Sequence, residues 1–545
     1  MKHPLLPRGA ELGLPILSGI LLTLAFPPFH LLVPPFVALV PYLVFVAGRG
    51  PDPSGAVAVR RGTFWMGVLF YGTLLYWLFA ALVFYTWLAL LGYVITVVIL
   101  SGILSLAGWG IHYFRVRRAM PLWLAVPIFW TAAEWARAHL GDVAFPWLGL
   151  GHSLTGFPAL VGVADLSGAR GLTVWLAAIN GLLAEWYLEG LRPRWPRRAA
   201  ALALLVALPV GYSLVRWNTL KTRPVAEVLV VQPNIPEDIG LDRDVAVDSS
   251  RTALGQLTGS GLAGAQALDL VVWPEAALAT WPHLVPGWVA WARSLAADND
   301  VSLLYGFPEL QRFPDGSYDY YNAALLLDQR GSAAGVYRKR NLVPMVERVP
   351  FVPVSWTRAL RRKGEEGLRL PLLGDVMGVL RYFGGYGRGE EGPVFSLAGS
   401  RFGVLICYES IFPELARGYR SAGADFLVNI TNDAWFGRER PWWSRTSALY
   451  QHPAHLVMRA VENRIGVARA ANTGISLFVD PRGRIYEATQ LFQPAQRLAT
   501  VETTDGLSFY TRVGDWPGWI CAAAAGLLAA AAWWRSRRRA WQLAA

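Results

Sequence analysis

Eight apolar stretches, seven of them within the first 215 residues, restrict what this chain can fold into. A helix needs roughly 20 residues to cross about 30 Å of hydrocarbon, and each stretch approaches that length. They run from about Leu12 to Phe26, His30 to Ala47, Phe64 to Phe84, Trp87 to Phe114, Pro121 to His139, Leu172 to Leu188, Ala199 to Val215 and Trp516 to Trp534. The second and seventh are short. Apolar residues make up 54% of the chain against 16% charged, with 25 tryptophans, which places it with integral membrane proteins rather than soluble enzymes. Only about Thr222 to Thr511 has the mixed composition of a globular domain.

Basic residues give these spans an orientation, because Lys and Arg collect on the cytoplasmic side of short loops. Lys2 and Arg8, Arg49 with Arg60 and Arg61, Arg115 to Arg118, Arg192 to Arg198, and Arg535 to Arg539 fall at every second boundary. Both termini are therefore expected inside and the globular part outside. The net charge of +12 is partly topology, and no nucleic-acid partner is expected. A cleaved signal peptide is not expected either, since no small-x-small site follows the first apolar run and further spans come after it.

Short β-branched runs alternate with amphipathic stretches in the globular part, the pattern of an α/β domain with helices covering sheets. Strands are expected at Val225 to Gln232, Leu268 to Trp273, Val301 to Tyr305, Asn322 to Asp328, Phe402 to Cys407, Phe426 to Ile430 and Ser476 to Val479. Helices are expected at about Pro286 to Ala297, Ile411 to Ala422 and Arg445 to Arg464. The Pro-, Gly- and Arg-rich stretch from Val343 to Gly392 lacks periodicity, as functional or disordered loops do.

Of two cysteines, Cys521 lies in an apolar stretch and reads as a small hydrophobe, whereas Cys407 ends the apolar run Phe402-Gly-Val-Leu-Ile-Cys-Tyr-Glu409. Glu275, in Val271-Val-Trp-Pro-Glu275, and Lys339, in Val336-Tyr-Arg-Lys-Arg-Asn-Leu-Val-Pro344, likewise stand at or just beyond apolar strands. Strand ends are where α/β domains present catalytic groups. A thiol attacks as thiolate, so it needs a base and a nearby cation. Glu275 and Lys339 are of the right types.

Trp-Pro-Glu, Tyr-x-Lys-x-x-Leu-Val-Pro and Ile-Cys-Tyr-Glu in this order resemble the nitrilase superfamily, and most closely its membrane branch, the apolipoprotein N-acyltransferases. Val231-Gln-Pro-Asn-Ile-Pro236, Asn429-Ile-Thr-Asn-Asp-Ala-Trp-Phe-Gly437, Gln451-His, Met458-Arg-Ala-Val-Glu462 and Arg469-Ala-Ala-Asn-Thr-Gly474 extend the likeness. Glu134-Trp-Ala-Arg137 and Phe145-Pro-Trp-Leu148 carry it into the membrane half. The resemblance implies a multi-span helical bundle of about eight spans bearing an extracytoplasmic nitrilase-like α-β-β-α sandwich. Residues 1–217 would form the membrane domain, 218–513 the catalytic domain, and 514–545 a last helix with a basic cytoplasmic tail. It further implies a catalytic triad of Glu275, Lys339 and Cys407, with Glu347, Tyr408 and Glu409 supporting it or binding substrate. The donor would be a membrane phospholipid and the acceptor a diacylated apolipoprotein at the bacterial inner membrane, with no cofactor and no metal. Two departures stand out. Met345-Val346 precedes Glu347 where the family has Phe-Gly, and Asp238 to Asp242 lacks the usual Trp.

Competing readings attach to several residues. Cys407 alone reads as a core thiol, Glu275 as a helix cap and Lys339 as part of a solvated basic run; their joint occurrence favours chemistry. Glu134 and Arg137 are expected as a structural ion pair. His452 and His455 have the spacing of helical metal ligands, but Pro453 intervenes and no third ligand is evident. Gly384 to Gly389 reads as a flexible loop. Arg361 to Lys363 is a charge run that could also meet lipid headgroups. Trp281, Trp288 and Trp291 read as core, and Trp442 and Trp443 as facing lipid. Alternative functions are a membrane-tethered amidase, and a transporter or scaffold. Few polar groups interrupt the spans beyond Glu134, Arg137, Asn180 and Glu185, which disfavours transport.

Overall fold

A computed structural model describes residues 9–84, 87–190, 195–236, 243–353, 355 and 385–544. Asp238 to Asp242, Arg361 to Lys363 and Gly384 lie outside the described residues. The chain divides into two compact units, one of residues 1–76, 91–218 and 513–545, the other of residues 77–90 and 219–512.

The first unit is helical. Its helices are α1 (Gly13–Ala25), α2 (Pro34–Val37), α3 (Val40–Ala47) and α4 (Pro53–Leu74), then, after α5 (Trp77–Leu82) of the other unit, α6 (Leu88–Arg118), α7 (Leu122–Ala138), α8 (Ala164–Glu189) and α9 (Trp195–Thr219). Every expected apolar stretch before the globular part falls on helix. Three described helices are long and apolar enough to cross a membrane: Leu88–Arg118, Pro196–Thr219 and Trp516–Arg538. The second stretch is broken into α2 and α3 because Pro34, Pro35 and Pro41 withhold N–H groups from a continuous ladder. The third begins eleven residues early, at Pro53 behind the Asp52 cap, and ends at Leu74.

The four polar side chains singled out in the spans, Glu134, Arg137, Asn180 and Glu185, serve interrupted backbone. Asn180 accepts from the Leu39 N–H (2.8 Å) and donates to the Pro35 carbonyl (3.0 Å), at the α2–α3 break. Glu185 accepts the Leu122 N–H at the start of α7 (2.7 Å). Glu134 and Arg137 do not form the expected pair. Glu134 accepts from Trp130, the Leu150 N–H and Thr173, while Arg137 donates to the Trp147 carbonyl. The irregular backbone of residues 145–150 carries groups that α7 and α8 cannot satisfy by helical bonding, and unpaired groups are costly in an apolar medium.

The second unit is built on two six-stranded sheets. The first runs β12-β1-β2-β3-β4-β5, from β1 (Arg223–Gln232), β2 (Leu270–Val272), β3 (Ser302–Arg312), β4 (Tyr318–Leu327), β5 (Ala333–Arg338) and β12 (Ala495–Thr503). The second runs β11-β10-β9-β8-β7-β6, from β6 (Phe395–Leu397), β7 (Ser400–Ile406), β8 (Phe426–Thr431), β9 (Gly466–Ala471), β10 (Leu477–Val479) and β11 (Ile485–Tyr486). β1 to β3 are parallel, as are β7 to β9. That accounts for their unbroken apolar runs, since strands covered on both faces need no polar side.

Helices α10 (Arg243–Ala263) and α11 (Pro286–Asp298) cover the first sheet, burying Leu254, Trp288, Ala292 and Ala296 against Leu229, Val271, Trp273 and Leu303. Trp291 stacks on Trp273 at 5.3 Å, and Trp288 meets it edge-on at 5.7 Å. Each such pair adds about 1 kcal/mol beyond the area it buries. α12 (Pro413–Ser421) and α13 (Ala448–Asn463) cover the second sheet, and α14 (Phe509–Val513) precedes α15 (Trp516–Ala544) of the helical unit. The two sheets meet through β1 and β12 on β9 and through β4 on β7, so the layers run helix, sheet, sheet, helix as expected.

Candidate active site

Glu275, Lys339 and Cys407 all lie at strand ends where the two sheets meet. Glu275 follows β2, and no helix starts there for it to cap: residues 274–278 form a turn pressed against β3. The turn fits because residue 306 is glycine, since a Cβ there would stand 2.6 Å from the Glu275 Cα. Lys339 directly follows β5, and its N–H pairs with the Asn322 carbonyl of β4 (2.8 Å). It is not part of a solvated run, being 1% exposed. Cys407 opens a 3-10 turn, Cys407–Ile411, at the end of β7, with a left-handed φ of 50° that a residue with a Cβ adopts at a cost.

Two carboxylates share the lysine. Lys339 Nζ lies 2.8 Å from Glu347 Oε1 and 3.4 Å from Glu275 Oε1. Asn322 Nδ2 donates to the same two oxygens, at 2.6 Å to Glu275 and 3.0 Å to Glu347. The remaining oxygens take main-chain donors: Asn432 N–H to Glu275 Oε2 and Val343 N–H to Glu347 Oε2, both at 2.8 Å. Each carboxylate is thus held by three donors. Glu347 reaches in from a tight turn in which Met345 adopts a φ of 65°, so the Met-Val departure is absorbed by the backbone at Met345.

Burial opposes the charge on Lys339, but Glu347 and then Glu275 outweigh it and hold the ammonium well above its ordinary pKa. Burial pushes the Cys407 thiol up, Glu275 pushes it further, and Lys339 only partly offsets them. Burial and Glu275 thus favour the thiol form of this sulfur, and Lys339 favours the thiolate.

Glu409 is fully buried and does not face this cluster. Its Oε1 accepts from the Tyr337 hydroxyl (2.7 Å), Arg340 N–H (2.7 Å) and Asn341 N–H (3.1 Å), and its Oε2 from Ile406 N–H (2.8 Å). One carboxylate thereby ties the residues after Lys339 to the residue before Cys407. Tyr408 is buried edge-on against Phe412 at 5.2 Å.

The flanking motifs form the site's frame. Asn472 donates to Asn432 Oδ1 (3.0 Å) and to the Ile235 carbonyl (2.7 Å), so the segments around Gln232 and Asn472 brace the loop that holds Glu275. Residues 385–389 are anchored rather than loose: Gly389 N–H donates to the Lys339 carbonyl (2.9 Å). His452 bonds to Asp433, Ser410 and the Cys407 carbonyl, and among the described residues no cluster of three or more His, Cys, Asp or Glu is placed to hold a metal. Trp442 is 84% exposed, and Trp443 stacks on Phe84 at 5.7 Å. Sequence reasoning missed Asn322, Asn432 and Asp433 as site residues; for the last two the signal was their place just past the end of β8.

The family described as "Carbon-nitrogen hydrolase" matches residues 206–502, and "Apolipoprotein N-acyltransferase N-terminal domain" matches residues 18–182. An apolipoprotein N-acyltransferase of Geobacter metallireducens is 32% identical over 522 residues, covering 94% of this chain and 93% of the relative. One of Chlorobaculum tepidum is 30% identical over 560 residues, covering 96% and 97%. A solved amidase of the nitrilase superfamily from Nesterenkonia AN1 is 19% identical, with a TM-score of 0.35 over 54% of this chain and 96% of that one.

Proposed function

The chain belongs to the apolipoprotein N-acyltransferase family, whose catalytic part is a carbon-nitrogen hydrolase domain, and from that premise we propose how its residues carry an acyl chain from a membrane phospholipid to an apolipoprotein. Cys407 Sγ attacks the ester carbonyl of the phospholipid while Glu275 takes the thiol proton. The carbonyl oxygen becomes an oxyanion facing Lys339, helped by the backbone N–H after the cysteine. As the tetrahedral adduct collapses, Glu275 returns the proton to the leaving oxygen. Lysophospholipid departs and a thioester remains on Cys407. The α-amine of a diacylglyceryl-cysteine then attacks the thioester, Glu275 takes the amine proton and passes it to the departing sulfur, and an amide is formed.

The observation that carries this reading is the convergence of Glu275 and Glu347 on the buried Lys339, whose charge acts on the Cys407 thiol. Burial and Glu275 favour the thiol over the thiolate, so proton removal and attack are coupled. Glu347 fixes Lys339, Glu409 fixes the spacing of Lys339 and Cys407, and Tyr408 packs the acyl-bearing turn against Phe412. Residues 218–513 act as the catalytic domain on the periplasmic side of the bacterial inner membrane. Residues 1–217 and 514–545 anchor it through about eight spans, with both termini cytoplasmic. Both substrates are anchored lipids, which gives a reason for a hydrolase-type domain to keep membrane helices.

The test is transfer itself. Purified protein given a phospholipid and a diacylated lipopeptide should yield triacylated peptide and lysophospholipid in equal amounts, and Cys407→Ser should yield neither. Free fatty acid in place of triacylated peptide would point to the membrane-tethered amidase reading instead.

A further inference from the structure

Behind Cys407 lies a set of charged and titratable groups that the acyl transfer does not use. Asp433, His452 and Arg469 are each 0% exposed, and burying such groups is costly unless they are paired. Arg469 of β9 meets Asp433 Oδ2 at 2.5 Å and Asn429 Oδ1 of β8 at 2.5 Å. The other Asp433 oxygen, Oδ1, lies 3.1 Å from His452 Nδ1 and accepts the Thr431 hydroxyl at 2.9 Å. Burial alone would raise the Asp433 pKa, but Arg469 and His452 outweigh it and hold the carboxylate ionised.

One of the two groups on Asp433 Oδ1, His452, reaches the turn that carries the nucleophile. His452 Nε2 lies 3.0 Å from the Cys407 carbonyl and 3.0 Å from the Ser410 hydroxyl, both in the turn that opens with the left-handed Cys407. The charged and titratable groups against the His452 ring are Asp433, Arg469 and Cys407, while Phe436 meets it edge-on at 4.9 Å. The arrangement admits little else at Asp433: a Cβ on Gly474 would stand 2.1 Å from Oδ2.

We propose that Asp433, paired with Arg469, positions the nucleophile through His452, which holds the turn that Cys407 opens. These are positioning residues, since none of them needs to touch substrate, and the proposal rests on Cys407 being the nucleophile. A fixed backbone sets the line along which sulfur meets the ester carbonyl and the side on which Glu275 receives the proton.

The test compares His452→Gln and His452→Ala in the full-length protein in phospholipid vesicles. Asp433→Asn strands Arg469 without its carboxylate and is expected to fold poorly, so the decision rests on the His452 pair. Two rates are read: thioester formation on Cys407, and alkylation of Cys407 by iodoacetamide. His452→Ala should acylate at least about tenfold more slowly, with the donor KM within about twofold of the parent. His452→Gln, which keeps a polar group in place, should recover most of the rate. Parent-like acylation and alkylation in His452→Ala would overturn the proposal, as would equal losses in the two variants. If the unsubstituted protein forms no thioester, the catalytic reading fails, and the alkylation rates alone decide the positioning role.

Discussion

Replacing Glu409 by glutamine changes one atom in the group that spaces Lys339 from Cys407. The amide oxygen can keep the three donors now on Oε1, from Tyr337, Arg340 and Asn341. The amide nitrogen then faces the Ile406 N–H, two donors head to head, and that buried N–H loses its acceptor. An orphaned buried donor costs about 1–3 kcal/mol, and three bonds to a neutral oxygen are together weaker by about 3 kcal/mol than to a carboxylate. Against this, burial disfavours the ionised carboxyl and pushes its pKa up, so part of the loss is recovered when the charge goes. The balance is a destabilisation of about 3 kcal/mol, and Glu409→Leu, which strands all four donors, should lose clearly more. Pulse proteolysis across a urea series reads unfolding of the 219–512 unit. Thioester formation measured in buffer, where the protein is still folded, should fall at least about tenfold, because Arg340 and Ile406 no longer share an anchor. A glutamine variant within about 0.5 kcal/mol of the parent, acylating at the parental rate, would refute the idea that this carboxylate holds the site together.

Other consequences follow from the same geometry. Glu347→Gln leaves the buried Lys339 ammonium with Glu275 at 3.4 Å as its remaining carboxylate, and should cost about 3 kcal/mol of stability along with acylation; parental stability in the urea series would contradict the shared-lysine arrangement. Asn322→Leu removes the amide that aims Glu275 and should slow thioester formation about 10- to 100-fold with little change in donor KM, so a change confined to KM would count against it. Burial and the Glu275 charge push the Cys407 thiol up, so its alkylation rate should still be rising at pH 9, and a plateau below pH 8 would show a preformed thiolate. The folded state also keeps this proton where the unfolded chain, with a thiol pKa near about 8.5, releases it. That stabilising contribution is therefore complete below about pH 8.5 and lost above it, and Cys407→Ser should lack the alkaline loss. Charged substitutions at the exposed Trp442 and at Trp443 should slow acylation from bilayer phospholipid more than from detergent-dispersed phospholipid, and equal slowing would remove the case for a lipid-facing role.

The sequence was most legible where one physical rule acted alone. Continuous apolar runs located β1, β2, β7 and β8, and the polar residues at or just beyond three such runs located Glu275, Lys339 and Cys407. α10 was missed because Gly255, Gly259 and Gly261 and its low hydropathy hide the helical period. β9 was missed because Gly466-Val-Ala-Arg-Ala-Ala471 places a buried Arg469 in its middle, and that charge is tolerated only through Asp433 and Asn429, which are distant in sequence. The pairing expected of Glu134 with Arg137 failed for a similar reason. Their helical spacing invited a local bond, but broken backbone at residues 147–150 offered each a partner that spacing cannot show. Asn322 stood in a predicted strand with nothing local to mark it, and its meaning lies in two glutamates 47 and 25 residues away. Glu409 was expected to support the triad or bind substrate; spacing could not show that it is sealed in and turned toward Tyr337 and main-chain donors.

The central claim is a covalent acyl group on Cys407. Protein incubated with phospholipid, digested and weighed should give a Cys407 peptide heavier by one acyl chain, a mass lost on treatment with hydroxylamine and absent in Glu275→Ala. A folded protein whose Cys407 peptide never gains that mass from phospholipid, or gains it equally without Glu275, would contradict the account.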